Sequence, residues 1–438
     1  MEGSRYASRR ATIGQGWSRR RVLGLTAAAG GALVAPLVAS PRSLAALADA
    51  GDANAAVTWD LNAQGAIWDV AQQQPNEQVR SFAMVSAAVY DAVNAAAGSP
   101  YQPYLLPPRP RSDASQPAAV AAAAHGVLVS MFPDQLDRLQ EQYDEYLAGI
   151  PNGPSKSTGV AIGNEAAAAL VAARENDGAF GDQQWRQGTE PGQWRPTPPT
   201  NASAGAWTGY MKPFLIRTVD EFRSPGPPGL RGQAYARDLE EVARIGSATS
   251  TVRTADQTEA AIFWHDRRSV NWGIKRQLAI TQRLSLLETA RMFALIDTVV
   301  ADSGVACFRE KDRWSFWRPI TAIREAASDG NPRTEPDPTW TPLLVTPPFP
   351  EYPSGHAAGT GSRMSAFAAF FGTDRISFSG FSVDANATRH YSSFSQAINE
   401  VIGARVWGGI HFRTADVDGT KLGKAITDYA VKRYFRRR

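Results

Sequence analysis

Three short segments in the last third of the chain carry fixed cations and histidines beside turn-forming residues. They are Lys311-Asp312-Arg313-Trp314-Ser315-Phe316-Trp317-Arg318-Pro319, Pro353-Ser354-Gly355-His356 and Arg405-Val406-Trp407-Gly408-Gly409-Ile410-His411. Lys311 and Arg318 stand seven apart, two helical turns, so a helix carrying both would present them on one face. Pro353 sets an entry, Ser354 suits an N-cap and Gly355 permits close backbone approach, so a helix is expected from Ser354 to about 371. Its first amides would point toward negative charge. Arg405 offers a planar fork for two oxygens, and His411 follows it past Gly408-Gly409. Together the segments supply three cations, two histidines, one hydroxyl and a glycine amide, the donor set for a tetrahedral oxyanion. His356 would serve as acid/base, and His411 as a nitrogen that attacks or ligates the central atom. A fold that uses this set must draw distant stretches of the chain around one pocket.

The remaining pattern is helical. Phe82, Val85, Val89 and Val93 recur at helical spacing within residues 77–97. Residues 115–149 and 156–176 are Ala-rich and also read as helices. Others are expected at about 233–247, 255–267, 273–303, 391–410 and 417–435, and one should carry Trp314 to Arg324. Ser285-Leu286-Leu287-Glu288 matches a capping box and marks a break within 273–303. Residues 177–232, rich in Gly, Pro, Trp and Thr, form a long irregular segment of the kind that often covers a site. Eight prolines from Pro332 to Pro353 keep the following stretch irregular. Alternating strand patterns are few, so the fold class is all-α, a helical bundle with long Pro/Gly-rich loops.

Composition narrows the function. A formal charge of +4 on 438 residues is too small to argue for nucleic acid, and Arg9-Arg10, Arg19-Arg20-Arg21 and Arg436-Arg437-Arg438 place much of it at the ends. A single cysteine, Cys307, excludes an intrachain disulfide, and its apolar setting reads as a buried inert thiol. Ser18-Arg19-Arg20-Arg21-Val22-Leu23-Gly24 is a twin-arginine pattern before an apolar run to about Ser40, with small-residue cleavage sites at Ala46-Leu47-Ala48 and Ala48-Asp49-Ala50. Residues 1–50 are therefore expected to be an export signal, and residues 51–438 one domain in the periplasm or outside the cell. No later stretch holds 18 uninterrupted apolar residues, so no membrane span is expected after cleavage.

Lys-x6-Arg-Pro, Pro-Ser-Gly-His and Arg-x5-His, in this order, resemble the superfamily of vanadium-dependent haloperoxidases and type 2 phosphatidic acid phosphatases. Residues from about 75 to 435 are similar to its bacterial haloperoxidase-like group, through Phe82 to Ala96, Trp194 to Pro199, Phe316 to Arg324, Pro347 to His356 and Gly408 to Arg413. The resemblance implies that Lys311, Arg318, Ser354, Gly355 and Arg405 bind the oxygens of vanadate, that His411 ligates vanadium and that His356 is the acid/base. It places Phe349 in a halide pocket, with Phe308 where the fungal enzymes have Trp. Two positions depart from the family. Ala404 replaces the usual Ser, and the Asp expected four residues after the ligand histidine is Ala415. Asp416 comes one later and would need a bulged loop to orient His411. The resemblance implies a haloperoxidase using vanadate, hydrogen peroxide and a halide or small organic substrate. The runner-up it admits is a soluble exported acid phosphatase working through a phosphohistidine on His411. A non-enzymatic oxyanion binder is the third reading, though it has no need of the second histidine. His125, His265 and His390 carry no assigned role and read as structural or surface residues.

Overall fold

The computed structural model describes residues 54–266 and 269–438; the expected export signal lies outside the described residues. Helices dominate. In chain order they are α1 Ala55–Gln64, continued by a π-turn over Gly65–Val70, α2 Pro75–Ala96, α3 Gln116–Met131, α4 Leu136–Ala148, α5 Pro154–Ala173, α6 Gln233–Ile245, α7 Ala255–Phe263, α8 Val270–Thr281, α9 Leu286–Trp314, α10 Pro319–Arg324, α11 Gly355–Phe371, α12 Phe394–Trp407 and α13 Arg413–Val431. The all-α reading holds. One antiparallel hairpin that the pattern did not reveal, β1 Phe378–Ser382 and β2 Ala387–Tyr391, joins α11 to α12.

The 29-residue α9 is the axis of the fold and packs against α2, α11 and α13. Its start is the expected capping box: Ser285 Oγ accepts from Glu288 N, and Glu288 Oε2 accepts from Ser285 N at 2.9 Å. Its end departs from expectation. The helix carrying Trp314 to Arg324 does not form as one piece, because Ser315 turns left-handed (φ 40°, ψ 47°) and donates its N–H back to Lys311 O at 2.8 Å. Arg318, extended, then N-caps the separate α10. The long segment 177–232 supplies the competing partners: Trp194 N donates to Ser315 O (2.8 Å) and Trp317 N to Gly192 O (3.0 Å). Tertiary pairing thus overrides local helical preference there.

α11 and α13 lie unusually close because small residues face each other. A Cβ at Gly361 would come within 2.8 Å of Thr420 O, and one at Gly423 would overlap Ala358 O. This contact sets the start of α11, which bears Ser354, against the start of α13, which follows His411. Ser354 N donates to Ala415 O at 3.0 Å, closing the two ends together. No described helix is long and apolar enough to cross a membrane.

Candidate oxyanion site

All three segments meet. Lys311 sits in the last turn of α9, Arg318 at the N-cap of α10, Ser354 at the N-cap of α11, Arg405 in the last turn of α12 and His411 in the loop before α13. Lys311, Arg318, Ser354 and Arg405 are fully buried and His411 is nearly so. The break at Ser315 means that Lys311 and Arg318 do not share one helix face; they converge from two helix ends instead.

Their partners are mostly backbone carbonyls. Lys311 Nζ donates to Pro350 O (2.7 Å) and Glu351 O (2.8 Å). Arg318 Nε donates to Phe349 O (2.8 Å), and its Nη1 to Ile410 O (2.8 Å) and His411 Nε2 (3.1 Å). A guanidinium only donates, so His411 Nε2 must be the acceptor and the ring proton must sit on Nδ1. Nδ1 then donates to Glu351 Oε1 at 2.8 Å, an oxygen that also accepts from Phe412 N at 3.0 Å. Burial first, and then the charges of Arg318, Lys311 and Arg405, hold the His411 pKa well below the ordinary histidine range, so the imidazole is neutral. A neutral ring with its lone pair on Nε2 is the form that ligates a metal or attacks phosphorus.

Glu351, not Asp416, orients His411. The bulge that Asp416 would need is absent: α13 starts at Arg413, and Asp416 lies buried in its first turn beside Ser354, its pKa raised well above the carboxylate range by burial. Glu351 was missed because a lone Glu in a proline-rich stretch carries no periodic signal. The available clue was its place three residues before Ser354, in Phe349-Pro350-Glu351-Tyr352-Pro353.

His356 lines the cavity that opens beside these residues, and its charge acts on His411. His265, expected to be structural or superficial, stacks near it (centroids 6.2 Å apart, planes 17°) while its Nδ1 faces Arg405 Nη2 at 3.4 Å. It belongs to the edge of the site. His125 stacks on Tyr143 away from it, and His390 is exposed on β2. Cys307 is buried, with its thiol pKa pushed up to about 11 by burial, as an inert thiol should be.

The cavity measures about 170 Å³, and Trp264, Trp272, Phe308, Phe349, Pro347 and Pro348 form most of its apolar wall. Phe349 lies over Lys311 Nζ (5.2 Å) and Arg318 (5.1 Å) and packs against Phe308 (5.1 Å). Behind Phe308 stands Trp185, centroids 5.8 Å apart, contributed by the irregular segment 177–232. That segment also gives Ala204, Gly205 and Thr208 to the wall, so it covers the site.

The buried charges fit an oxyanion of vanadate type. Among the described residues, Glu351 and Asp416 are the carboxyls whose charges act on Lys311 and Arg318, and burial raises the pKa of both, that of Glu351 to about 7. Arg318 Nη2 is buried without a hydrogen-bond partner among the described residues. A Cβ at 355 would meet nothing closer than Phe308 at 3.8 Å, Lys311 at 3.9 Å and Cys307 at 4.0 Å, so packing does not demand glycine. Excess positive charge and an unsatisfied donor are what a bound anion would complete.

Residues 291–437 match the family model described as the VCPO second helical-bundle domain. The chain is 30% identical to vanadium chloroperoxidase of Curvularia inaequalis over a stretch covering 35% of this chain and 31% of that enzyme, so the match spans about a third of the curated relative. The fold is similar to that of a bacterial vanadium-dependent iodoperoxidase (TM-score 0.72, 23% identity, 86% of this chain and 96% of that one). It also resembles a holo-type bacterial vanadium-dependent chloroperoxidase (TM-score 0.68, 18% identity, 83% and 93%). Residues 291–437 are thus similar to the second helical-bundle domain of the VCPO family, and the likeness over the rest of the chain is one of fold. Its bundle has the fold seen in these bacterial vanadium-dependent haloperoxidases.

Proposed function

We propose that the protein is a vanadate-dependent haloperoxidase that oxidises halide with hydrogen peroxide. The observation that carries this reading is the juxtaposition of a buried, cation-rich cradle with an apolar, aromatic cavity. Lys311, Arg318, Arg405, Ser354 and the Gly355 amide would hold the oxygens of vanadate, and His411 Nε2 its metal. When bound, vanadate supplies peroxide activation and oxygen transfer to halide. The chain's own part is electrostatic and protonic. Three buried cations draw negative charge from the oxygens they hold, and their low-dielectric setting strengthens the effect. Glu351 fixes the His411 tautomer and ring direction. His356, on the cavity side, takes or gives the proton as peroxide binds and product leaves. Phe349 and Phe308 form an apolar wall for a weakly hydrated halide and keep water from the cradle.

The neutral, oriented His411 also favours a second reading, an acid phosphatase. There Nε2 attacks phosphorus, His356 protonates the departing alkoxide and water then cleaves the phosphohistidine. Purified protein given orthovanadate, peroxide and bromide should brominate an indicator dye and leave a chromogenic phosphate ester intact. Ester hydrolysis without bromination would choose the phosphatase. The twin-arginine pattern at 18–24 supports export, which fusion of residues 1–50 to a reporter tests directly.

A further inference from the structure

The cavity wall carries a cation that the oxyanion cradle does not use. Arg363 lies seven residues after His356 on α11, on the same face and roughly 10 Å further along the axis at about 1.5 Å per residue. It lines the cavity and is only 5% exposed. Its Nη1 donates to Asn271 Oδ1 at 2.9 Å, and Asn271 also lines the cavity. Among the described residues no carboxylate pairs with it. The carboxylate that acts on it is Asp297, and that one is already held by Lys275 Nζ (2.6 Å) and Ser86 Oγ (2.5 Å). Lys275 also reaches Asp60 (2.6 Å), which Arg276 holds as well (2.6 Å). Three cations thus face two carboxylates, and the surplus charge is the one that reaches the cavity. Asp266, also on the wall, spends its carboxylate on Ser269 N and Oγ, Ser382 Oγ and Val383 N. A buried cation lacking an anion is costly to keep unless a ligand completes it.

The other walls are aromatic, and about 150 Å³ of apolar cavity accommodates a benzene-sized ring. We propose that Arg363 and Asn271 anchor the carboxylate of a hydroxylated aromatic acid, whose ring lies in the cavity beside His356. What then happens to the ring rests on the haloperoxidase reading. Hypohalous acid gives its halogen to a ring carbon, the carbon–halogen bond forms as the halogen–oxygen bond breaks, and the displaced ring proton leaves with hydroxide as water. The anchoring itself does not rest on that reading.

The test uses 4-hydroxybenzoate and phenol with the wild type, Arg363→Gln and Arg363→Lys, each checked for folding by circular dichroism. In calorimetric titration without vanadate, the wild type should hold 4-hydroxybenzoate about tenfold more tightly than phenol. Arg363→Gln should erase that preference and Arg363→Lys keep part of it. Equal wild-type affinities, or a preference that survives in Arg363→Gln, overturn the proposal. In bromination assays the ratio of KM values for the two acceptors should shift by the same factor. If the KM for bromide moves instead, Arg363 serves the halide and the proposal fails. If no acceptor is brominated yet the titration preference is present, the anchor stands and the haloperoxidase reading falls.

Discussion

The proton of His411 is held on Nδ1 from both sides, since Arg318 can only donate to Nε2 and Glu351 accepts at Nδ1. Glu351 should therefore matter as much as a direct ligand. Glu351→Ala is expected to weaken vanadate binding about 10–100-fold, the range typical when a ligand histidine loses its orienting carboxylate; a titration with unchanged affinity would remove that role. His411→Ala should abolish vanadate binding and turnover together, whereas His356→Ala should cut turnover and leave vanadate bound. A pH effect follows as well. Burial pushes Lys311 down to about 7 and Glu351 up to about 7. As pH falls through that value, Lys311 gains its charge and Glu351 loses its own, so the cradle becomes more positive. Sulfate, whose charge is constant in this interval, should bind roughly tenfold more tightly at pH 6 than at pH 8. A flat profile would show that neither group titrates there. The cations and His411 were readable in the sequence because their residue types and spacing carry chemistry. Glu351 was not, since nothing local separates it from other surface-prone glutamates until the fold brings it to the ring.

Helix ends do the positioning, and their placement depends on how closely α11 and α13 approach. Gly423→Ala would drive a methyl group into the Ala358 carbonyl. The expected cost is about 1–3 kcal/mol from overpacking. Because the same contact ties Ser354 to Ala415, the variant should also lose oxyanion affinity before it unfolds. Thermal melting with sulfate titration reads both. A lower Tm with undiminished affinity would mean that the helix contact does not set the site. Periodicity and capping residues revealed most helices, including the break at Ser285. They failed at Ser315, where the deciding partners, Gly192 and Trp194, lie more than 120 residues away. The hairpin of β1 and β2 failed for a similar reason. Its five-residue strands alternate weakly, and they are held from outside by Gln277 on α8, which exchanges hydrogen bonds with Ser379.

Between the early helices and the site-bearing half runs a buried ionic cluster. Asp60 on α1, Lys275 and Arg276 on α8 and Asp297 on α9 join four separate stretches of sequence once Ser86 on α2 is included. No pattern in the chain marks these residues as partners, because a charge inside an amphipathic helix normally reads as surface. Lys275→Met removes the cation that, among the described residues, is shared by both carboxylates. Asp60 keeps Arg276, but among the described residues Asp297 is left with Ser86 as its hydrogen-bond partner and only the more distant charge of Arg363. Breaking a buried pair from one side costs about 3–5 kcal/mol, and urea unfolding should show a loss of that order. Burial already raises the pKa of Asp297, so without Lys275 the folded chain should bind a proton there that the unfolded chain does not. An acid with a raised folded pKa gains stability as pH falls through that value. The deficit of Lys275→Met against the wild type should accordingly shrink from neutral pH toward acid. A deficit that grew on acidification would mean that Asp297 stays ionised, and that some other cation, Arg363 included, had taken the place of Lys275.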